Sequence, residues 1–289
     1  MIKDNNQRFL QILADYLNFF ERSIEKADVL AVQEVGCDAK TAFCHLLAAL
    51  FEVDAYEKDR GFFNDYFIPS VKRLDVKDYV NDPYYKAVTF DGREEGGSKL
   101  CYQTCAPYQG FVRDDFLYEE DGRVIPRIGF FEEEYRYPAV LTDGREWMTL
   151  LPNEINSQKR YIEEARGKVL TYGLGLGYYV FHAAAKDEVE SVTVVDVDEN
   201  VISLFKKHIL CKFPEGAQQK VRIIKADAFE YAKTLKNGDY DYIYADIWHD
   251  CADGKDMYLK FKALEKFCTS ARYGYWIEES IKYYLDEEN

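Results

Sequence analysis

Val169-Leu-Thr-Tyr-Gly-Leu-Gly-Leu-Gly177 is the stretch on which the reading of this 289-residue chain turns. An apolar run of strand length meets three glycines at alternate positions, and Tyr178 to Ala185 continues as an apolar helix. Beyond it, short apolar runs alternate with amphipathic segments. Strands are expected at Lys168 to Tyr172, Ser191 to Val197, Val221 to Ala226, Asp239 to Asp246 and Tyr273 to Glu278. Helices are expected near Tyr178 to Ala185, Glu199 to Cys211, Ala228 to Leu235 and Lys255 to Phe267. This alternation predicts an α/β fold, a parallel sheet with helices on its faces.

Upstream the pattern differs. Phe9, Leu10, Ile12, Leu13, Tyr16, Leu17 and Phe20 recur at helical spacing, and Asp38 is placed to cap a second helix over Ala39 to Phe51. Short helices are expected from Asp59 to Val80, up to the Asn81-Asp82-Pro83 turn. From Tyr84 onward, short strands are separated by Asp91-Gly92, Asp121-Gly122 and Asp143-Gly144, which are hairpin signals. The clearest are Phe111 to Tyr118, Val124 to Phe131, Ala139 to Leu141 and Trp147 to Leu151, followed by a linking helix, Ile155 to Ala165. The predicted organisation is a helical region over 1–83, a small antiparallel β domain over 84–154 and the parallel α/β domain over 155–289.

Four acidic or glycine-rich sites fall at the carboxyl ends of successive strands, where ligands bind in open parallel sheets. The glycines of the first turn let backbone approach a ligand, and the helix that follows points its amino terminus at it. The second strand ends in Val194-Val-Asp196-Val-Asp198, where an acid can bond both hydroxyls of a ribose. The third ends in Lys225-Ala-Asp227-Ala-Phe, and the fourth in Ala245-Asp246-Ile-Trp-His-Asp250. A nicotinamide dinucleotide fits less well, because its pattern would put a third glycine where Tyr178 stands.

This constellation resembles the class I S-adenosylmethionine-dependent methyltransferases, whose domain is Rossmann-like. The resemblance implies that Gly173, Gly175 and Gly177 border the methionine part of S-adenosyl-L-methionine, that Asp196 holds the ribose, and that Asp227 with Ala228 faces the adenine. Tyr172, Val197 and Asp246 complete the expected cofactor-binding set, and Asp246, His249 and Asp250 are the candidate bases. Trp248, Tyr172 and Tyr178 are aromatic candidates to face a sulfonium. The antiparallel segment ahead of the α/β half, and Val194-Val-Asp-Val-Asp-Glu-Asn-Val-Ile202, also look like the spermidine synthases. Those enzymes carry an acid in the glycine loop where this chain has Leu176, and a second acid after the fourth strand where it has His249.

Three function classes follow from the sequence: a methyltransferase acting on a small molecule or protein, an aminopropyltransferase-like enzyme acting on an amine, and a non-catalytic nucleoside-cofactor-binding protein. The acceptor pocket is expected between the loop Asp246 to Asp250 and the aromatic-rich segment 84–151. A small-molecule acceptor is favoured over a macromolecule. With 37 basic against 52 acidic residues and a formal charge of −15, a phosphate backbone would be repelled, so nucleic acid is not an expected partner. The longest nearly apolar run, Ala42 to Phe51, is too short to span a membrane, and no secretory leader is evident, so a cytoplasmic location is expected. Seven scattered cysteines, of which only Cys101 and Cys105 lie close together, suit reduced thiols, and no metal site is expected. Tyr (24) and Phe (19) are abundant enough to fill cores.

Overall fold

The computed structural model describes residues 2–18, 24–90, 92–142 and 144–287. Phe20, Asp91 and Asp143, which the sequence places on the first helix and in two hairpin turns, lie outside the described residues. Contacts group the chain into two units, Met1–Val80 with Thr104–Tyr137, and Asn81–Gln103 with Pro138–Asn289. Each unit draws on two separated stretches of sequence, whereas the linear reading divides the chain into three consecutive segments.

In the first unit, helix Ile2–Asn18 buries Phe9, Ile12, Leu13 and Tyr16 on one face, as their spacing requires. Helix Ala39–Leu50 begins where expected, because the Asp38 carboxylate accepts from Thr41 N at 2.7 Å. Strand β1 (Val71–Leu74) departs from the helical expectation for this region. Four residues are too few to show a period, and this stretch is extended because it pairs in parallel with the later run Ile128 to Phe131.

The remaining strands of the amino-terminal half are β2 (Glu94–Glu95), β3 (Ser98–Cys105), β4 (Phe111–Tyr118), β5 (Val124–Phe131), β6 (Tyr135–Thr142) and β7 (Arg145–Thr149). They form two sheets rather than one, ordered β1-β5-β4 and β2-β3-β6-β7, and the parallel β1–β5 pair makes the first of them mixed. The first unit's core is strongly aromatic: Phe43 stacks on Phe130 with centroids 4.4 Å apart, and Phe9 packs against Phe67 at 4.9 Å. The polar Asn6 is also buried in this unit. Its Oδ1 accepts from Tyr66 OH at 2.7 Å and Val124 N at 3.1 Å, and its Nδ2 donates to Gly122 O at 3.1 Å.

The second unit contains the expected parallel sheet. Its strands β8 (Gly167–Tyr172), β9 (Val189–Asp196), β10 (Val221–Lys225), β11 (Tyr242–Ala245) and β12 (Arg272–Tyr275) lie in the order β10-β9-β8-β11-β12, every pair parallel. The order reverses direction between β8 and β11, and the glycine turn leaves the sheet at that point. Helices Tyr178–Ala185, Glu199–Leu204, Ala228–Ala232 and Cys251–Leu264 follow the first four strands, and a helix over Glu278–Glu287 follows the fifth. The α/β fold with a parallel five-stranded, Rossmann-like sheet is therefore as the sequence predicts. No described helix is long and apolar enough to cross a membrane. All seven cysteines are free thiols, and the described residues contain no cluster of three or more side chains suited to a metal ion.

Candidate active site

The glycine turn is built by two kinds of glycine. Gly173 has φ +91°, and a Cβ there would sit 1.9 Å from the carbonyl oxygen of Asp246, so backbone packing forbids a side chain. At Gly177 a Cβ would meet the Phe205 ring at 2.2 Å. Gly175, with φ +52°, has nothing within 4 Å of the same position and looks into open space. Gly173 and Gly177 therefore serve packing, and Gly175 leaves room on the ligand side of the turn.

Behind the turn, the Tyr84 hydroxyl donates to Leu176 O at 2.5 Å, and Tyr178 OH donates to Asp82 Oδ2 at 2.9 Å. Asp82 also faces His182 Nε2 at 3.0 Å and accepts from Tyr84 N at 2.8 Å. Burial works against the charge of Asp82, but these bonds outweigh it and hold the carboxyl below its ordinary range. Asn81-Asp82-Pro83 thus begins a short helix, Pro83–Ala87, instead of only turning the chain.

In front of the turn lies a cavity of about 610 Å³. Its floor is the carboxyl end of the parallel sheet, and one wall is Glu146 to Leu150, so the expected pocket between the fourth-strand loop and the upstream segment is present within the second unit. Asp196 lines it. One carboxylate oxygen accepts from Leu174 N and the other from Asp198 N, each at 2.8 Å, which ties the end of β9 to the glycine turn. Burial nevertheless pushes this carboxyl up, outweighing both backbone donors. Each oxygen retains a lone pair that could accept from a ribose hydroxyl. Val197, Asp227 and Ala228 line the same end of the cavity. Asp227 also caps helix Ala228–Ala232, accepting from Glu230 N at 2.9 Å.

Two expected residues, Tyr172 and Asp250, sit elsewhere. Tyr172 does not line the cavity. Side chains alternate along β8, so Thr171 faces the ligand side while Tyr172 packs beneath the sheet, 4.9 Å from Phe261. Tyr178 and Trp248 do line the cavity, but the Tyr178 hydroxyl is committed to Asp82 and the Trp248 ring nitrogen donates to Trp276 O at 3.2 Å. The Asp250 carboxylate caps helix Cys251–Leu264, accepting from Ala252 N at 2.6 Å, and is not on the cavity wall. His249 is exposed at the rim, its ring centroid 5.8 Å from that of Trp147.

Asp246 is the candidate base that the structure places deep in the cavity. Gln158 Nε2 donates to its Oδ2 at 3.2 Å, and the Tyr244 hydroxyl approaches the same oxygen at 3.5 Å. Burial pushes its carboxyl up to about 7. Glu154 stands beside it, raised well above the usual carboxylate range first by burial and then by the charge of Asp246. Glu154 and Gln158 come from the first turns of helix Pro152–Glu164, which the sequence reads only as a link. The available signal is the spacing: residues four apart share a helix face, and this helix leads directly into β8.

A volume of about 300–1,000 Å³ is usual for a small-molecule site, so the cavity suits a nucleoside together with a small acceptor. Gly175 leaves backbone accessible, Asp196 retains acceptor capacity, and the glycine turn precedes a helix amino terminus. These residues fit a nucleoside cofactor.

Residues 160–268 match the family model of the spermine/spermidine synthase domain. Putrescine N-methyltransferase 3 of Nicotiana tabacum is 25% identical over 101 residues, covering 34% of this chain and 26% of that protein. Polyamine aminopropyltransferase of Clostridium botulinum (strain Alaska E43 / Type E3) is 28% identical over 96 residues, 32% of each chain. The match thus spans about a third or less of these curated relatives. The crystal structure of spermidine synthase from Thermotoga maritima aligns over 43% of this chain and 48% of that one, at 23% identity and a TM-score of 0.30. The motif reading puts general methyltransferases first and spermidine synthases second. The comparisons bring the second resemblance forward without removing the first: residues 160–268 are similar to the spermine/spermidine synthase domain, and the relatives include both N-methyl- and aminopropyltransferases.

Proposed function

We propose that this protein is a transferase that moves an alkyl group from a sulfonium nucleoside to the nitrogen of a small aliphatic amine. The observation that carries this reading is a single cavity lined together by the glycine turn, Asp196 and Asp246, with Asp246 packed against Gly173. The likeness of residues 160–268 to the spermine/spermidine synthase domain supports the same chemistry. When bound, the sulfonium nucleoside would supply an electrophilic carbon whose bond to sulfur breaks as the nitrogen lone pair attacks.

The chain's own part is orientation and proton handling. Asp196 would accept from the ribose hydroxyls, and Gly175 would let turn backbone approach the donor's side chain. Asp246 would take the proton that an ammonium must lose before its nitrogen can attack, a role suited to a carboxyl held near neutral by burial. The enclosing walls would hold the two reactants in line, the main requirement of such a displacement.

Methyl transfer from S-adenosyl-L-methionine is the first reading. A donor carrying a primary ammonium would seek an acid in the glycine loop, and this loop presents the apolar Leu176 together with backbone donors suited to a carboxylate. Aminopropyl transfer from the decarboxylated donor is the second reading, favoured by the likeness to a polyamine aminopropyltransferase. Incubation of the protein with putrescine and each donor, followed by mass spectrometry, separates them. N-methylputrescine is expected from the first donor. Spermidine from the second would replace the methyl reading, and no product with either, despite nucleoside binding, would leave a binding protein.

A further inference from the structure

Two groups in the cavity are left unsatisfied by the protein. Gln158 is 7% exposed, and its Nε2 is engaged by Asp246, which fixes the amide so that Oε1 points the other way. That oxygen is buried without a hydrogen-bond partner. The Glu154 carboxylate, one turn earlier on the same helix face, lines the same cavity and finds no hydrogen bond or ion pair among the described residues. A buried, orphaned amide oxygen is expensive, and beside it stands a half-buried carboxylate without a counter-charge, so the pair points to a ligand that satisfies both. Among the described residues no Lys or Arg lines the cavity, so none of them supplies the missing positive charge.

We propose that Glu154 and Asp246 form a two-carboxylate seat for a primary ammonium group, with Gln158 Oε1 as its third acceptor. This rests on the amine reading above and identifies the residue that supplies the second acid. His249 and Asp250 do not fill that place, because one lies at the rim and the other is spent on a helix cap. An ammonium carries three N–H donors, and Asp246, Glu154 and Gln158 offer one acceptor group to each. A hard metal cation is a poorer match. It takes about six oxygens, and the described residues contain no cluster of that kind.

The seat also explains how an ammonium becomes a nucleophile. R–NH₃⁺ gives one proton to a carboxylate of the pair, leaving R–NH₂ with a free lone pair and a neutral carboxyl beside the other carboxylate. An aliphatic ammonium titrates near 10.4 and an ordinary carboxyl near 4, so the transfer is strongly uphill to an exposed acid. It is less so here, where burial raises both carboxyls and their mutual repulsion favours a shared proton.

Calorimetry on the full chain with putrescine, in the presence of S-adenosylhomocysteine, tests the seat. Putrescine should bind the wild type. It should bind Glu154→Gln at least about tenfold more weakly, the scale of one charged hydrogen bond, with Glu154→Asp in between. S-adenosylhomocysteine affinity should be the same in all three, and 1,4-butanediol should not bind. In turnover, Glu154→Gln should raise the KM for the amine and change the pH profile of kcat/KM. Unchanged putrescine affinity in Glu154→Gln overturns the seat, as does displacement of putrescine by Mg²⁺ or Ca²⁺. A wild type that binds S-adenosylhomocysteine but not putrescine also overturns the seat, while the nucleoside half of the functional reading stands. Binding of neither ligand removes both. If circular dichroism shows Glu154→Gln unfolded, Gln158→Leu takes its place, with the same loss of putrescine affinity expected and the same unchanged affinity overturning the seat.

Discussion

At the scale of residues, the glycine turn offers a direct comparison. Gly173→Ala would drive a methyl group into the backbone of Asp246, where nothing flexible can yield, so its expected outcome is loss of the folded second unit. Gly175→Ala meets no protein atom and should cost only about 1–2 kcal/mol for the left-handed backbone. Its effect should appear instead as weakened nucleoside binding. Thermal melting with and without S-adenosylhomocysteine checks both, and equal stability of the two variants would contradict the assignment. The buried acids give a second test. In the unfolded chain Asp titrates near 3.9, whereas Asp246 in the fold is held up to about 7 by burial. As pH rises through that interval, the unfolded chain releases protons that the folded chain keeps, so stability falls and then levels off. Glu154 and Tyr244 are the titratable neighbours facing Asp246, and the raised Glu154 carboxyl acts in the same direction. Asp246→Asn should therefore melt above the wild type near pH 8 and lose that advantage near pH 4. An advantage that does not change with pH would mean Asp246 is not so raised.

At the scale of elements, the sequence was most informative where local pattern and tertiary role agree. The five strands of the parallel sheet are short apolar runs bounded by polar residues, and each was legible to within a few positions. Helix Tyr178–Ala185 was also legible, because Gly177 must precede it and Lys186 stops it. Less legible were elements whose conformation is imposed from a distance. Val71–Leu74 reads as part of a run of short helices, and is extended only because Ile128 to Phe131 pairs with it. Helix Pro152–Glu164 was visible, but its function was not, since Glu154 and Gln158 look like an ordinary polar face until Asp246 is brought opposite them. This helix is anchored at its far end by Lys186, whose Nζ donates to the carbonyls of Ile162, Glu163 and Ala165 at 2.8, 2.7 and 2.8 Å. These are the carbonyls a helix leaves unpaired at its carboxyl end, where a positive charge is also favourable. Lys186→Met should lower stability by about 1–3 kcal/mol, the range for hydrogen bonds to a charged group. Chemical denaturation measures it, and a change below about 0.5 kcal/mol would show that the cap is replaced by water.

For the whole molecule, the formal charge of −15 acts on any cationic acceptor before contact. Attraction toward an acidic cavity raises the encounter rate, and salt screens it over roughly 10 Å at 0.1 M. The kcat/KM for a diamine should fall as ionic strength rises while nucleoside affinity changes little. Insensitivity to salt would place recognition in short-range contacts alone. The abundant Tyr and Phe fill cores, since Tyr66, Tyr84, Tyr135, Phe9, Phe43 and Phe130 are all fully buried. The way the chain is divided has a different consequence, which belongs to biosynthesis and gene architecture. Because each unit is assembled from two separated stretches, neither can finish folding when its first stretch leaves the ribosome. Met1–Val80 must wait for Thr104–Tyr137, and Asn81–Gln103 for everything after Pro138. A gene cut between residues 80 and 81, or between 137 and 138, therefore divides a unit rather than separating two, and a fusion or recombination event at either place would transfer an incomplete body.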